Sequence, residues 1–151
     1  MDNKRIVNHA LRALLYEVTV NPKPGLVDPL SAGPHPDMNA FMFIDSALSL
    51  EPYFDACAAA GATYTAADLT GLFQQIRHIG VQAERTMFAA TNGVNTHKGA
   101  VFSLGVLVTA SAYQSQHLNG DLATIVRAML MGLTANDFST LNAKEPATLT
   151  A

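Results

Sequence analysis

Apolar residues recur at helical spacing along most of this chain. Val7, Leu11, Leu14 and Val18 predict a helix over residues 3–19, with Asp2 placed to cap its start. That pattern stops at Asn21-Pro22-Lys23-Pro24-Gly25, because two prolines and a glycine do not continue a helix. A loop then runs to about Asn39. Pro29, Gly33, Pro34 and Pro36 lie in it, and prolines at this density pre-set the backbone. A second helical stretch starts after Asp37 or Asn39 and carries Phe41, Ile44, Leu48, Tyr53 and Phe54. Pro52 should kink or restart it, with Ser49 as a cap, and Gly61 should end it. Thr65 and Asp68 resemble a capping box ahead of a third helix that runs to about Ala90. Leu69, Leu72, Phe73, Ile76, Ile79, Ala83 and Met87 share its apolar face. Asn92-Gly93 should break that helix. A fourth helix, rich in Gly, Ala and Ser and so suited to close central packing, runs from near Thr96–Gly99 to about Gln114. Asp121 should cap a fifth, with Leu122, Ile125, Val126, Met129 and Leu133. No stretch alternates like a strand. The expected fold is all-α: one bundle-like helical domain over residues 1–151 with a long, ordered, proline-rich loop.

Composition sharpens this picture. Nearly half of the 151 residues are apolar, but only 14% are charged, against about a quarter in an ordinary soluble domain. That imbalance predicts a broad apolar surface on the fourth and fifth helices, covered by another copy or by further chain. The net charge of −3 argues against a nucleic-acid partner. Cys57 is the only cysteine, which excludes an internal disulfide and a cysteine-built metal cage and fits a reduced cytoplasmic setting. No apolar run is long enough to span a bilayer.

The polar chemistry clusters in two loops. Lys23, Asp28, His35 and Asp37 lie in the first. Asn92, Asn95, Thr96, His97 and Lys98 lie in the second, and Glu84 precedes it on the third helix. Thr91-Asn92-Gly93-Val94-Asn95-Thr96-His97-Lys98-Gly99-Ala100 offers side-chain donors, an ammonium and two glycines at the opening of a helix. Backbone N–H groups there, with a lysine, suit an anion, most often a phosphate. The spacing is not that of a Walker A loop. A plainer reading of the same residues stands beside this one. Asn-Gly and Pro-Gly are ordinary turn dipeptides, Thr96 reads as a simple helix cap, and Asp28 and Asp37 as turn or cap residues. Glu84 reads equally as a solvated surface residue. Glu17, at the end of the first helix, reads as support for the loop beside it.

Four motifs in order carry a resemblance: Pro22-Lys23-Pro24-Gly25-Leu26-Val27-Asp28, Gly33-x-His35-x-Asp37-Met38, Gly80-x-x-Ala83-Glu84-x-x-Met87 and Gly93-Val94-Asn95-Thr96-His97-Lys98-Gly99-Ala100. Together they closely resemble the triphosphoribosyl-dephospho-CoA synthase family, over its N-terminal half only. The family's later motifs, including an Arg-Gly-Glu-Ala stretch, have no counterpart here. The chain is therefore expected to be the N-terminal part of a longer all-α enzyme, inactive or weakly active alone.

The resemblance implies a cytoplasmic transferase. It takes ATP and 3′-dephospho-CoA, releases adenine and joins the triphosphoribosyl group to the 2′-hydroxyl of the dephospho-CoA ribose. The product is the prosthetic-group precursor for the acyl carrier protein of citrate lyase; a close relative serves malonate decarboxylase. For such chemistry Lys23 and Lys98 are the natural triphosphate ligands, with Gly25, Asn95, Thr96, His97 and Gly99 completing the substrate contacts. Mg²⁺ would accompany ATP, with Asp28, Asp37 and Glu84 as candidate ligands. One of those carboxylates could instead act as the base or face the oxocarbenium-like centre, and His35 and His97 could bind phosphate or protonate adenine. Two rivals suit some of the residues: a metal-dependent helical hydrolase of nucleotides or ADP-ribosyl groups, and a helical interaction module with purely structural loops.

Overall fold

The computed structural model describes residues 2–27, 29–30, 38–118 and 120–133. Among these residues there are six α-helices and no strands: α1 (Asn3–Thr19), α2 (Ala40–Ser49), α3 (Glu51–Thr63), α4 (Thr70–Ala90), α5 (Lys98–Gln116) and α6 (Leu122–Met129). The all-α expectation holds.

The start of α1 follows from Asp2, whose carboxylate accepts the Lys4 N–H. Its inward stripe is Ile6, Val7, Ala10, Leu11, Leu14 and Val18. The chain turns extended at Val20 and enters a cis Asn21–Pro22 bond.

The second predicted helix is two helices. The chain breaks at Leu50, which is fully buried, and Pro52 sits in the first turn of α3, where no N–H partner is lost. Ser49 is not the cap of α3. Its hydroxyl donates to the Ser46 carbonyl at 2.6 Å, back into α2. Gly61 does not end α3 either, which continues to Thr63. A Cβ at Gly61 would lie 2.2 Å from the Thr109 carbonyl oxygen of α5. That glycine is a contact point between helices.

Asp68 organises the start of α4 by accepting from the Thr70 N–H at 3.0 Å and the Thr70 hydroxyl at 2.7 Å. Thr65 takes no part, because it stands five residues before Thr70 and capping needs closer spacing. The helix ends as Asn92 and Gly93 adopt φ of +53° and +85° and the Gly93 N–H reaches the Phe88 carbonyl at 2.7 Å. This is the six-to-one bond of a Schellman stop.

Central to the bundle is α5, which packs on α1, α3, α4 and α6, most extensively on α3. Small residues permit that closeness. A Cβ at Gly105 would fall 2.0 Å from the Tyr53 hydroxyl, which donates to the Val101 carbonyl at 2.9 Å. Leu50, Phe54, Leu72, Ile76, Met87 and Met129 fill the interior. Asp121 caps α6 by accepting the Thr124 N–H at 2.7 Å. No helix among the described residues is long and apolar enough to cross a membrane.

Candidate functional site

The described part of the first loop begins with a tight turn. Pro24 and Gly25 occupy its centre, Gly25 has φ +78°, and the Leu26 N–H closes on the Lys23 carbonyl at 3.0 Å. Proline followed by a positive-φ glycine is the signature of a type II turn. The turn directs Lys23 back onto the end of α1. Its ammonium donates to the Glu17 carbonyl at 2.6 Å and to the Glu17 carboxylate at 2.9 Å. The Glu17 carbonyl belongs to the last turn of α1, which no intrahelical N–H reaches, so a cation there is favoured twice. Among the described residues nothing lies within 4 Å of where a Cβ on Gly25 would stand.

The second loop folds over the stop of α4. Thr91 is buried, with its hydroxyl within bonding distance of the Met87 and Val94 carbonyls at 3.0 and 2.6 Å. His97 follows, with only 6% of its surface exposed. Its backbone N–H points at the Met87 sulfur at 3.3 Å, and the Phe43 ring of α2 meets its imidazole edge to face at 5.0 Å. Nδ1 lies 2.6 Å from the Ser46 hydroxyl oxygen of α2, and that oxygen lies 2.5 Å from the Thr96 hydroxyl. Nε2 is buried without a hydrogen-bond partner among the described residues. Burial pushes the imidazole below its ordinary 6.5, and the Glu17 carboxylate partly opposes that shift. His97 is therefore a neutral ring at neutral pH.

His97 also marks the start of α5, accepting the Val101 N–H at 2.9 Å. Among the described residues no side chain caps that start, and none lies within 4 Å of where a Cβ on Gly99 would stand. The first-turn N–H groups therefore have no side-chain acceptor among the described residues. Thr96 is not the cap that its position suggested; its hydroxyl is committed to Ser46.

Glu84 stands apart. It is half-buried on α4 and lines a cavity of about 340 Å³ with Tyr53, Phe73, Arg77, Val101 and Phe102. The carboxylate acting on His97 is that of Glu17, not Glu84. Among the described residues no three His, Cys, Asp or Glu side chains gather as a metal site. Asp28, His35 and Asp37 lie outside the described residues, and so does the side chain of Lys98. Asn95 is exposed in the second loop. Thus the Glu17 carboxylate acts electrostatically on His97, whereas Glu84 opens on a separate cavity. Sequence reasoning missed Ser46 and Phe43. A serine on the buried side of an apolar helix is the one signal that asks for a partner.

The described part of the site is thus a lysine-bearing turn folded onto the end of α1 and a buried imidazole at the start of α5. Comparison with known proteins identifies the family. Residues 3–147 match the CitG family model, described as ATP:dephospho-CoA triphosphoribosyl transferase, and the chain belongs to that family. A probable 2-(5''-triphosphoribosyl)-3'-dephosphocoenzyme-A synthase of Lactiplantibacillus plantarum is 85% identical over all 151 residues, which is 54% of that protein. Protein CitXG of Leuconostoc mesenteroides subsp. cremoris is 50% identical over 94% of this chain and 31% of its own length. A probable synthase of the same name from Streptococcus pyogenes is 42% identical over 92% of this chain and 52% of its own. The chain thus spans about half the length of the synthases it matches. No solved structure matches it.

Proposed function

We propose that this chain forms the nucleotide-binding half of a transferase that joins the triphosphoribosyl group of ATP to 3′-dephospho-CoA and releases adenine. The observation that carries the reading is the buried, neutral His97 with an unpartnered nitrogen at the uncapped start of α5. Burying a polar atom without a partner is costly, so such an atom fits a place that a ligand fills. The open first turn of α5 suits a triphosphate, and Lys98 enters that turn. Lys23 is the second candidate cation. Its contact with Glu17 fixes where the ammonium sits before substrate arrives. Gly25 and Gly99 keep both loops free of side chains that would block close approach.

Bond breaking at the ribose leaves positive charge on the sugar and requires the acceptor hydroxyl to lose its proton. Asp28 and Asp37 are the candidates in the first loop for base, charge stabiliser or magnesium ligand, Glu84 would act from its own cavity, and His35 is the candidate for a phosphate contact or the proton to adenine. Mg²⁺ would enter with the triphosphate and neutralise part of its charge. Further chain, of the kind that makes the relatives about twice as long, would complete the site and cover the apolar faces of α1, α5 and α6. Citrate lyase is the proposed beneficiary, and the setting is cytoplasmic.

The deciding experiment measures adenine release from ATP by the protein with and without 3′-dephospho-CoA. Release that depends on the acceptor supports the transferase. Release that never depends on it, with free ribose triphosphate as product, replaces the transferase by the hydrolase.

A further inference from the structure

The hydroxyl chain behind His97 has a direction. Ser46 is fully buried and sits between the Thr96 hydroxyl at 2.5 Å and His97 Nδ1 at 2.6 Å, with 51 residues separating it from the histidine in sequence. Two arrangements of protons are open to three atoms in a row. If Thr96 donates to Ser46 and Ser46 donates to Nδ1, both hydroxyl protons are used. If Nδ1–H donates to Ser46 and Ser46 to Thr96, the Thr96 proton has no acceptor among the described residues. Each arrangement makes two bonds, but only the first gives both hydroxyl protons an acceptor among the described residues, so the first arrangement is favoured. A neutral imidazole that accepts at Nδ1 carries its proton on Nε2.

We propose that Ser46 is a positioning residue that locks His97 as the Nε2–H tautomer, making its one unpartnered nitrogen a hydrogen-bond donor aimed at a phosphate-type oxygen of the bound nucleotide. The helix fixes Ser46, the Phe43 edge fixes the ring plane, and the Met87 sulfur holds the backbone of the same residue. The imidazole is thereby a rigid neutral donor. It is not a proton acceptor, and it needs no proton from solvent to bind an anion. The ligand half of this inference rests on the reading of the α5 start as a nucleotide site; the tautomer half does not.

The test is nitrogen-15 NMR of the chain labelled at histidine, read through the long-range couplings that distinguish the two ring nitrogens. The free chain is expected to show His97 with a protonated Nε2 and a bare Nδ1. A proton on Nδ1 overturns the proposal at once. Ser46→Ala should leave a mixture of tautomers, and Ser46→Thr, which restores a hydroxyl, should recover the Nε2–H form; an unchanged tautomer in a folded Ser46→Ala variant also overturns it. Titration with ATP, and separately with inorganic triphosphate, should then move the Nε2 resonance. Ser46→Ala should weaken ATP affinity about 5- to 30-fold, with His97→Gln, whose amide reaches the Nε2 position, weakening it less than His97→Ala. Binding of ATP that leaves Nε2 and both variants unaffected overturns the donor role. No ATP binding by any form rejects the nucleotide site and leaves the tautomer result to stand or fall on its own spectrum.

Discussion

At the scale of single residues, the site trades on burial. A histidine with an unmet nitrogen is tolerated in an interior only if something else is gained. Its protonation should be visible in stability. The folded imidazole lies below its ordinary 6.5, so the unfolded chain binds the extra proton first as pH falls. Stability from this group is then complete above about pH 6.5 and declines as pH drops through the window down to the folded value. Thermal melts from about pH 7.5 to about pH 5 should show a steeper loss for the natural chain than for His97→Gln. Parallel curves would show that the ring is already solvated. Lys23 makes a different prediction. Its pair with Glu17 is half in water on the glutamate side, but the lysine side chain is only 11% exposed and also meets the Glu17 carbonyl, so Lys23→Ala should cost the fold about 1–3 kcal/mol. The same change should weaken ATP binding by about 10- to 150-fold if the ammonium meets a phosphate. Arginine should rescue poorly, since the guanidinium fork is larger and needs a different geometry at a phosphate. A Lys23→Ala chain that binds ATP normally removes the lysine from the site.

Elements show where sequence logic reaches and where it stops. The starts of α1 and α6 were legible because an aspartate precedes each apolar stripe and caps it locally. The stop of α4 was legible for the same reason, since Asn92-Gly93 needs no distant partner. Gly61 was misread because its role depends on Thr109 of another helix, and Ser46 was missed because its partner is His97. Local periodicity carries no information about which helix approaches which. The glycines of the α3–α5 contact give a direct check. Gly61→Ala would drive a Cβ to 2.2 Å from a backbone oxygen, and Gly105→Ala would drive one to 2.0 Å from the Tyr53 hydroxyl. Backbone yields less than the end of a side chain. Gly61→Ala should therefore be the worse of the two, each losing about 1–3 kcal/mol or more in denaturant titrations. Gly99→Ala meets nothing within 4 Å and should leave stability unchanged or slightly raised. If Gly61→Ala unfolds at the same denaturant concentration as the natural chain, the helices are not as close as described.

At the scale of the whole molecule, the described residues leave apolar surface exposed. A groove of about 510 Å³ between α1, α5 and α6 is lined by Ile6, Ala10, Leu104, Leu107, Val108 and Leu122. Leu107 is 42% exposed there, although it sits on the central helix of the bundle. The low charge fraction anticipated such a face, and relatives in the family carry about as much chain again. Helix packing supplies the reason to connect the two. A central helix normally buries every side, and α5 already meets four neighbours, so a fifth along the Leu107 side would complete its surround. Leu107→Glu separates the possibilities. In this chain alone the glutamate would sit at the groove's edge in water, so the change should cost little and reduce self-association. In a form extended by the second half that relatives carry, the same glutamate would be forced under that half. It should then lose the roughly 1.5–3 kcal/mol that burying a leucine contributes, plus the cost of an unpaired charge. Denaturant titration of both forms, with and without the substitution, reads the difference. An equal effect in the two would mean that the groove stays open in the longer protein, and that some other surface joins the halves.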